Sequence, residues 1–205
     1  MGMIRLTAPA TFRPRARSLA IILFLLLTVL LVSCGPRAEK AYNPMGLSGK
    51  INPEAETAFA RAHVLWRDSE VCSDPALAVE LLDKAIALEP EYAQAYMRRG
   101  LAKSTQRDWE GAFDDLTRAL RLDPSAENYA YRGLISMRGG NALGARKDLD
   151  RSIALDSDQH KAWNFRAALD LLEGKNEAAC SDFKEGCSNG DCVGLESARN
   201  AGICP

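Results

Sequence analysis

The sequence predicts an all-α protein, a solenoid of helix-turn-helix units closed by a short C-terminal capping helix. Three observations predict it. First, the stretches AYMRRGLAKSTQRDWEGAFDDLTRALRLDP (95–124), NYAYRGLISMRGGNALGARKDLDRSIALDS (128–157) and AWNFRAALDLLEGKNEAACSDFKEGCSNGD (162–191) repeat one order of residue types. Tyr96, Tyr129 and Trp163 mark its period, spaced 33 and 34 residues apart. Second, apolar and small residues recur at helical spacing within each half, as in Leu116, Ala119, Leu120 and Leu122. Third, Gly139-Gly140 and Gly174 punctuate turns, while Pro90 and Pro124 stop one unit before the next. A single unit of this kind cannot bury its own apolar face, so neighbours must stack.

Residues 1–33 read as a leader. Residues 1–17 carry Arg5, Arg13, Arg15 and Arg17 and no acidic residue, and Leu19 to Val32 is apolar throughout except for Thr28. That run is shorter than the roughly 18–20 residues a helix needs to cross a bilayer's hydrocarbon core. A basic start, a short apolar run and a small residue before a cut describe a secretory signal; the alternative is an uncleaved signal anchor. Leu31-Val32-Ser33-Cys34 resembles the lipobox of bacterial lipoproteins. The resemblance implies that the Cys34 thiol receives a diacylglycerol, that residues 1–33 are removed, and that the new amine is acylated with a chain such as palmitate. Two or three chains, at roughly 0.8 kcal/mol per buried CH₂, hold a protein to a bilayer where one does so only marginally. Gly35 stands where Asp would resemble an inner-membrane retention signal, which implies the outer membrane, facing the periplasm, in a Gram-negative host. Residues 34–52 mix Gly, Pro and charge without periodicity and read as a flexible tether, or as a segment docked onto the domain it carries.

The repeat domain is predicted over 53–192. Its first unit, 53–90, is degenerate. The second half, ALAVELLDKAIALEP, keeps Ala78, Leu82, Ala85 and Pro90 in register. The helix holding Phe59, His63 and Trp66 is followed by about three extra residues before Pro75, in a loop that contains Cys72. Units 92–124, 126–157 and 159–191 are regular. In each, the aromatic is followed four positions later by a small residue (Gly100, Gly133, Ala167) and twelve further on by an alanine (Ala112, Ala145, Ala179). A bulky apolar residue (Leu116, Leu149, Phe183) and another small one (Ala119, Ser152, Gly186) complete the pattern.

This pattern resembles the tetratricopeptide repeat. The resemblance implies a right-handed superhelix whose first helices line a concave wall. The wall positions would be Gln94, Met97, Leu101 and Thr105, then Glu127, Ala130, Leu134 and Met137, then Lys161, Asn164, Ala168 and Leu171. The stripe Met97, Leu101, Leu134, Met137 and Leu171 is more apolar than a solvated face, which points to an interaction site. The other reading is that these side chains pack within the stack or under the tether. Some relatives grip a C-terminal carboxylate with paired Lys and Asn. Here Arg98, Tyr131 and Phe165 stand where an Asn is wanted, so that mode is not expected. Arg99, Arg132 and Arg166, with Asp115, Asp148 and Asp182, ride on the repeat and read as structural pairs joining the two helices of each unit rather than as ligand-binding charges. As exposed pairs they would be worth roughly 0–1 kcal/mol each.

The chain ends in a predicted cap, 192–205, with CVGLESARN (192–200) as a short helix folding back. Cys180, Cys187, Cys192 and Cys204 lack the C-x₂-C pairs of zinc sites and of thiol redox motifs. Structural disulfides suit an exported chain. Cys180 and Cys187 sit near 10 Å apart along one helix, beyond the roughly 7 Å a disulfide allows. An antiparallel return instead pairs Cys187 with Cys192 and Cys180 with Cys204, pinning the cap over the open end; Cys72 is left without an obvious partner.

Function is bounded mainly by exclusion. The net charge is −1, and removing the leader's arginines leaves a mildly acidic chain, which argues against a nucleic-acid partner. The two histidines, His63 and His160, form no catalytic constellation, and no glycine loop suits a phosphate. No enzyme activity, metal or cofactor is expected beyond the covalent lipid on Cys34. The sequence predicts a lipid-anchored envelope adaptor or scaffold that binds a partner protein or peptide segment through the concave surface. The alternative is a thiol redox or metal-handling protein using the C-terminal cysteines.

Overall fold

A computed structural model describes residues 51–66 and 71–205; the expected signal, Cys34 and nearly all of the expected tether lie outside the described residues. Helix α1 (Pro53–His63) starts where Asn52 Oδ1 accepts the Glu54 N–H at 2.9 Å, with proline at its first position and Glu54 and Glu56 in its first turn. It passes into a single 3-10 turn, Val64–Trp66. The expected first helix is therefore shorter than the span from Phe59 to Trp66 suggested, and Trp66 is buried from the tighter turn. Among the described residues seven further helices follow: α2 (Pro75–Leu88), α3 (Ala93–Thr105), α4 (Trp109–Leu122), α5 (Ala126–Arg138), α6 (Ala142–Leu155), α7 (His160–Leu172) and α8 (Asn176–Ser188). The short α9 (Val193–Asn200) ends the order.

One capping device starts the second helix of the first three units. Asp74, Asp108 and Asn141 each accept, through Oδ1, the backbone N–H three residues on, at 3.1, 2.9 and 2.9 Å. The turn just before it needs a left-handed residue. Gly140 (φ 84°) and Gly174 (φ 75°) supply it in the last two units, and Arg107 (φ 65°) takes the same position in the second.

Consecutive helices pack pairwise as α1/α2, α3/α4, α5/α6 and α7/α8. The units then stack through α2/α3, α4/α5 and α6/α7, with the first helices of adjacent units touching as α3/α5 and α5/α7. The small residues set how closely each pair approaches. A Cβ on Gly100 would lie 2.9 Å from the Ala112 carbonyl oxygen, and one on Gly133 would lie 2.7 Å from Leu149 Cγ. One apolar core runs through the first three units, including Trp66, Leu82, Tyr92, Leu101, Leu116 and Ile135. A second joins Ala167, Ala179 and Phe183 to Leu195 and Ala198 of α9. Each large side chain buried this way contributes about 1.5–3 kcal/mol. The architecture is the expected all-helical solenoid with a capping helix at its end.

Candidate functional site

The charged residues of the repeat form a ladder inside the stack. Arg99, on α3, donates from Nε and Nη2 to the Asp115 carboxylate on α4 at 2.9 and 2.6 Å, and from Nη1 to Asp83 on α2 at 2.6 Å. Arg132 meets Asp148 at 2.7 and 2.8 Å, and its Nη1 reaches Thr117 Oγ1 of the preceding unit at 3.5 Å. Arg166 meets Asp182 at 2.7 and 2.9 Å and Asp150 at 2.7 Å. Each guanidinium thus bridges its own unit's second helix and the one before it. The hydrogen bonds to Asp115 and Asp182 push the Arg99 and Arg166 pKa values further up, against the opposing cost of burial. Because Asp115, Asp148 and Asp182 are 5–7 % exposed, these are not the exposed pairs that the sequence suggested. Their charges face each other across the helices and are not presented to a ligand.

The predicted wall divides into a closed and an open part. Met97, Leu101, Ala130 and Leu134 are 0–3 % exposed. Met97, Leu101 and Leu134 belong to the core through the first three units, because the first helices of neighbouring units pack there. The expected stripe is therefore closed over at these three side chains. Gln94, Thr105, Glu127 and Met137 are half-buried, as is Lys161, whose Nζ lies 5.4 Å from the centre of the Tyr131 ring. Thr105 uses its hydroxyl on the Leu101 carbonyl, 3.2 Å away.

The open part lies at the last unit. Asn164, Ala168 and Leu171, on α7, line a recess of about 490 Å³ whose far wall is α9 and the residue that caps it, through Val193, Ser197 and Ala201. Asn164 Nδ2 donates to the Asp191 carbonyl at 3.2 Å, while its buried Oδ1 accepts no hydrogen bond. Val193 stands 70 % exposed at the rim. An apolar recess of this size suits a short apolar segment. Sequence reasoning reached the α7 side of this recess but missed the α9 side. Val193, Ser197 and Ala201, each four residues apart, share the face that closes it, and Ser197 breaks any apolar pattern there.

The cap is held covalently. Cys180 is joined to Cys204 with Cα atoms 5.5 Å apart, and Cys187 to Cys192 with Cα atoms 4.0 Å apart. Cys72 is a free, buried thiol, its pKa raised chiefly by that burial. Among the described residues no group of three or more His, Cys, Asp or Glu side chains could hold a metal ion, and no helix is long and apolar enough to cross a membrane. His63 lies on the surface of α1, 3.3 Å from Arg98 Nη2, and His160 opens α7; among the described residues neither meets a carboxylate or thiol suited to acid–base chemistry.

No family model matches the chain. Tetratricopeptide repeat protein 36 of Bos taurus is 33 % identical over 129 residues, which cover 60 % of this chain and 66 % of that protein. The chain spans about half to two thirds of the length of the relatives of that name from cattle and human. Among solved structures, TTC0263, a thermophilic TPR protein of Thermus thermophilus, aligns with a TM-score of 0.62 at 21 % identity, over 74 % of this chain and 82 % of that one. YrrB, described as a TPR protein with an unusual peptide-binding site, aligns with a TM-score of 0.51 at 20 % identity, over 69 % of each chain.

Proposed function

We propose, from the premise that this chain is a tetratricopeptide-repeat protein, that it is a lipid-anchored adaptor of the bacterial envelope, binding an apolar segment of another protein. The recess between α7 and α9 carries the reading. It is the part of the expected wall left open, and its walls are apolar. YrrB, which shares the fold, is named for a peptide-binding site. The LVSC sequence ending at Cys34 supports the anchor and, with Gly35 after it, the outer membrane of a Gram-negative host.

Two variants test the binding part. Val193→Glu places a charge at the exposed rim, and Ala168→Glu places one on the recess wall. Both should keep wild-type helicity and lose capture of the partner in a quantitative pull-down from solubilised envelopes. Unaltered capture by both would reject the recess. Cys34→Ser tests the anchor separately: the protein should move from the membrane to the soluble envelope fraction and lose palmitate labelling.

A further inference from the structure

A second cleft lies away from that recess, between α4 and the end of α5. It measures about 270 Å³ and is lined by Trp109, Glu110, Phe113 and Asp114 of α4, Ile135 and Ser136 of α5, and Gly139 and Asn141 of the turn that follows. The next junction along the stack is filled differently. At the next junction along the stack, Arg146 of α6 donates to Asp170 and, at 2.8 Å, to Glu173 at the end of α7. The 33- and 34-residue periods place Phe113 where Arg146 stands, Ser136 where Asp170 stands and Gly139 where Glu173 stands. So neither that cation nor the two carboxylates that hold it has a counterpart at this junction, and the cleft stays open.

What remains is a set of groups suited to a cation. Glu110 and Asp114 lie one helical turn apart, are exposed, and make no ion pair with another described residue. Ser136 is 4 % exposed, and its Oγ has no hydrogen-bond partner although it lines the cleft. A buried hydroxyl without a partner costs free energy that a bound donor would recover. Phe113 already has Arg132 at 5.5 Å, with that arginine's charge matched by Asp148, whereas half-buried Trp109 has no cation against it among the described residues. A planar fork of donors that stacks on an indole and divides its N–H groups among two carboxylates and a hydroxyl is a guanidinium.

We infer that this cleft seats an arginine side chain of a partner protein, between Trp109 and the Glu110, Asp114 and Ser136 oxygens. The partner so recognised presents an arginine on an exposed segment, and it engages a face distinct from the α7–α9 recess.

The test is a titration of the ¹⁵N-labelled full chain with the peptide Ac-Gly-Arg-Gly-NH₂, following the Trp109 indole N–H resonance. Matched peptides carrying lysine or citrulline in place of arginine serve as controls. The arginine peptide should give a saturating shift, the lysine peptide a weaker one, and the uncharged citrulline peptide none. The Glu110→Gln/Asp114→Asn variant, changed only at exposed positions, should keep its helicity and weaken the arginine response about tenfold. Ser136→Ala should weaken it by a smaller factor. Absence of a saturating arginine response, an equal response to lysine or citrulline, or an unchanged response in the double carboxylate variant would overturn the assignment.

Discussion

Asp148 illustrates how much a single carboxylate carries in this stack. Its side chain is buried and accepts two hydrogen bonds from Arg132, so Asp148→Ala leaves that guanidinium partly desolvated without its counter-charge. The expected loss is about 3–5 kcal/mol, read as a fall in urea midpoint at constant slope, whereas the double change Arg132→Met/Asp148→Leu should recover most of it. Arg107 acts through the backbone. It holds the left-handed position that glycine holds in the next two units, so Arg107→Gly should stabilise by about 1 kcal/mol in the same measurement. His63 gives a pH dependence of known sign. Loss of surrounding water, and then the nearby Arg98 charge, lowers its pKa, and Arg98 can donate only to the neutral ring. The folded chain takes up this proton less readily than the unfolded one. The contribution is therefore full above the ordinary value of about 6.5 and is lost as pH falls from there through the lowered folded value. The melting temperature should drop less between pH 7.5 and 5.5 for His63→Gln than for wild type. The Arg–Asp pairs were legible in the sequence because both members recur with the repeat, 16 residues apart. The reach of Arg99 and Arg166 back to Asp83 and Asp150 was not, since it depends on how one unit seats on the last. Arg107 gave no signal, because turn chemistry is read from glycine and none is there.

At the scale of elements, helix order followed from period and punctuation, and the close α3/α4 and α5/α6 approaches follow from Gly100 and Gly133. The closed part of the wall was harder to read. Met97, Leu101 and Leu134 have the spacing of an exposed stripe, and only the packing of neighbouring first helices shows that they are core. Leu101→Asp should accordingly act on stability, unfolding the stack rather than sparing it. The α9 cap depends on its covalent ties. Closing the 24-residue separation between Cys180 and Cys204 is worth about 3 kcal/mol, so Cys180→Ser/Cys204→Ser should lower the stability of α8 and α9 by about that much. Amide exchange would show the loss concentrated in those two helices while α3 to α6 keep their protection.

At the largest scale, the described helices form a series of nearest-neighbour interfaces in which the first helices of adjacent units touch and the last unit stays open beside the cap. A core through the first three units, a second core under the cap and a ladder of paired charges tie each unit to its neighbours, which suits holding a bound segment at a fixed place. The α7 half of the open recess could be read from the repeat register. The α9 half could not, because it exists only once the cap has folded back across the end. The proposed role makes this recess the surface the protein uses in the cell. The measurement that tests it most directly is in-cell photo-crosslinking, with a photoreactive phenylalanine analogue at Leu171 in the recess and, as control, at Leu143, which is 88 % exposed on α6. A discrete crosslinked species should form from position 171, be absent at 143 and disappear when Val193→Glu is added. Equal crosslinking from both positions, or a product from 171 that survives Val193→Glu, would contradict it.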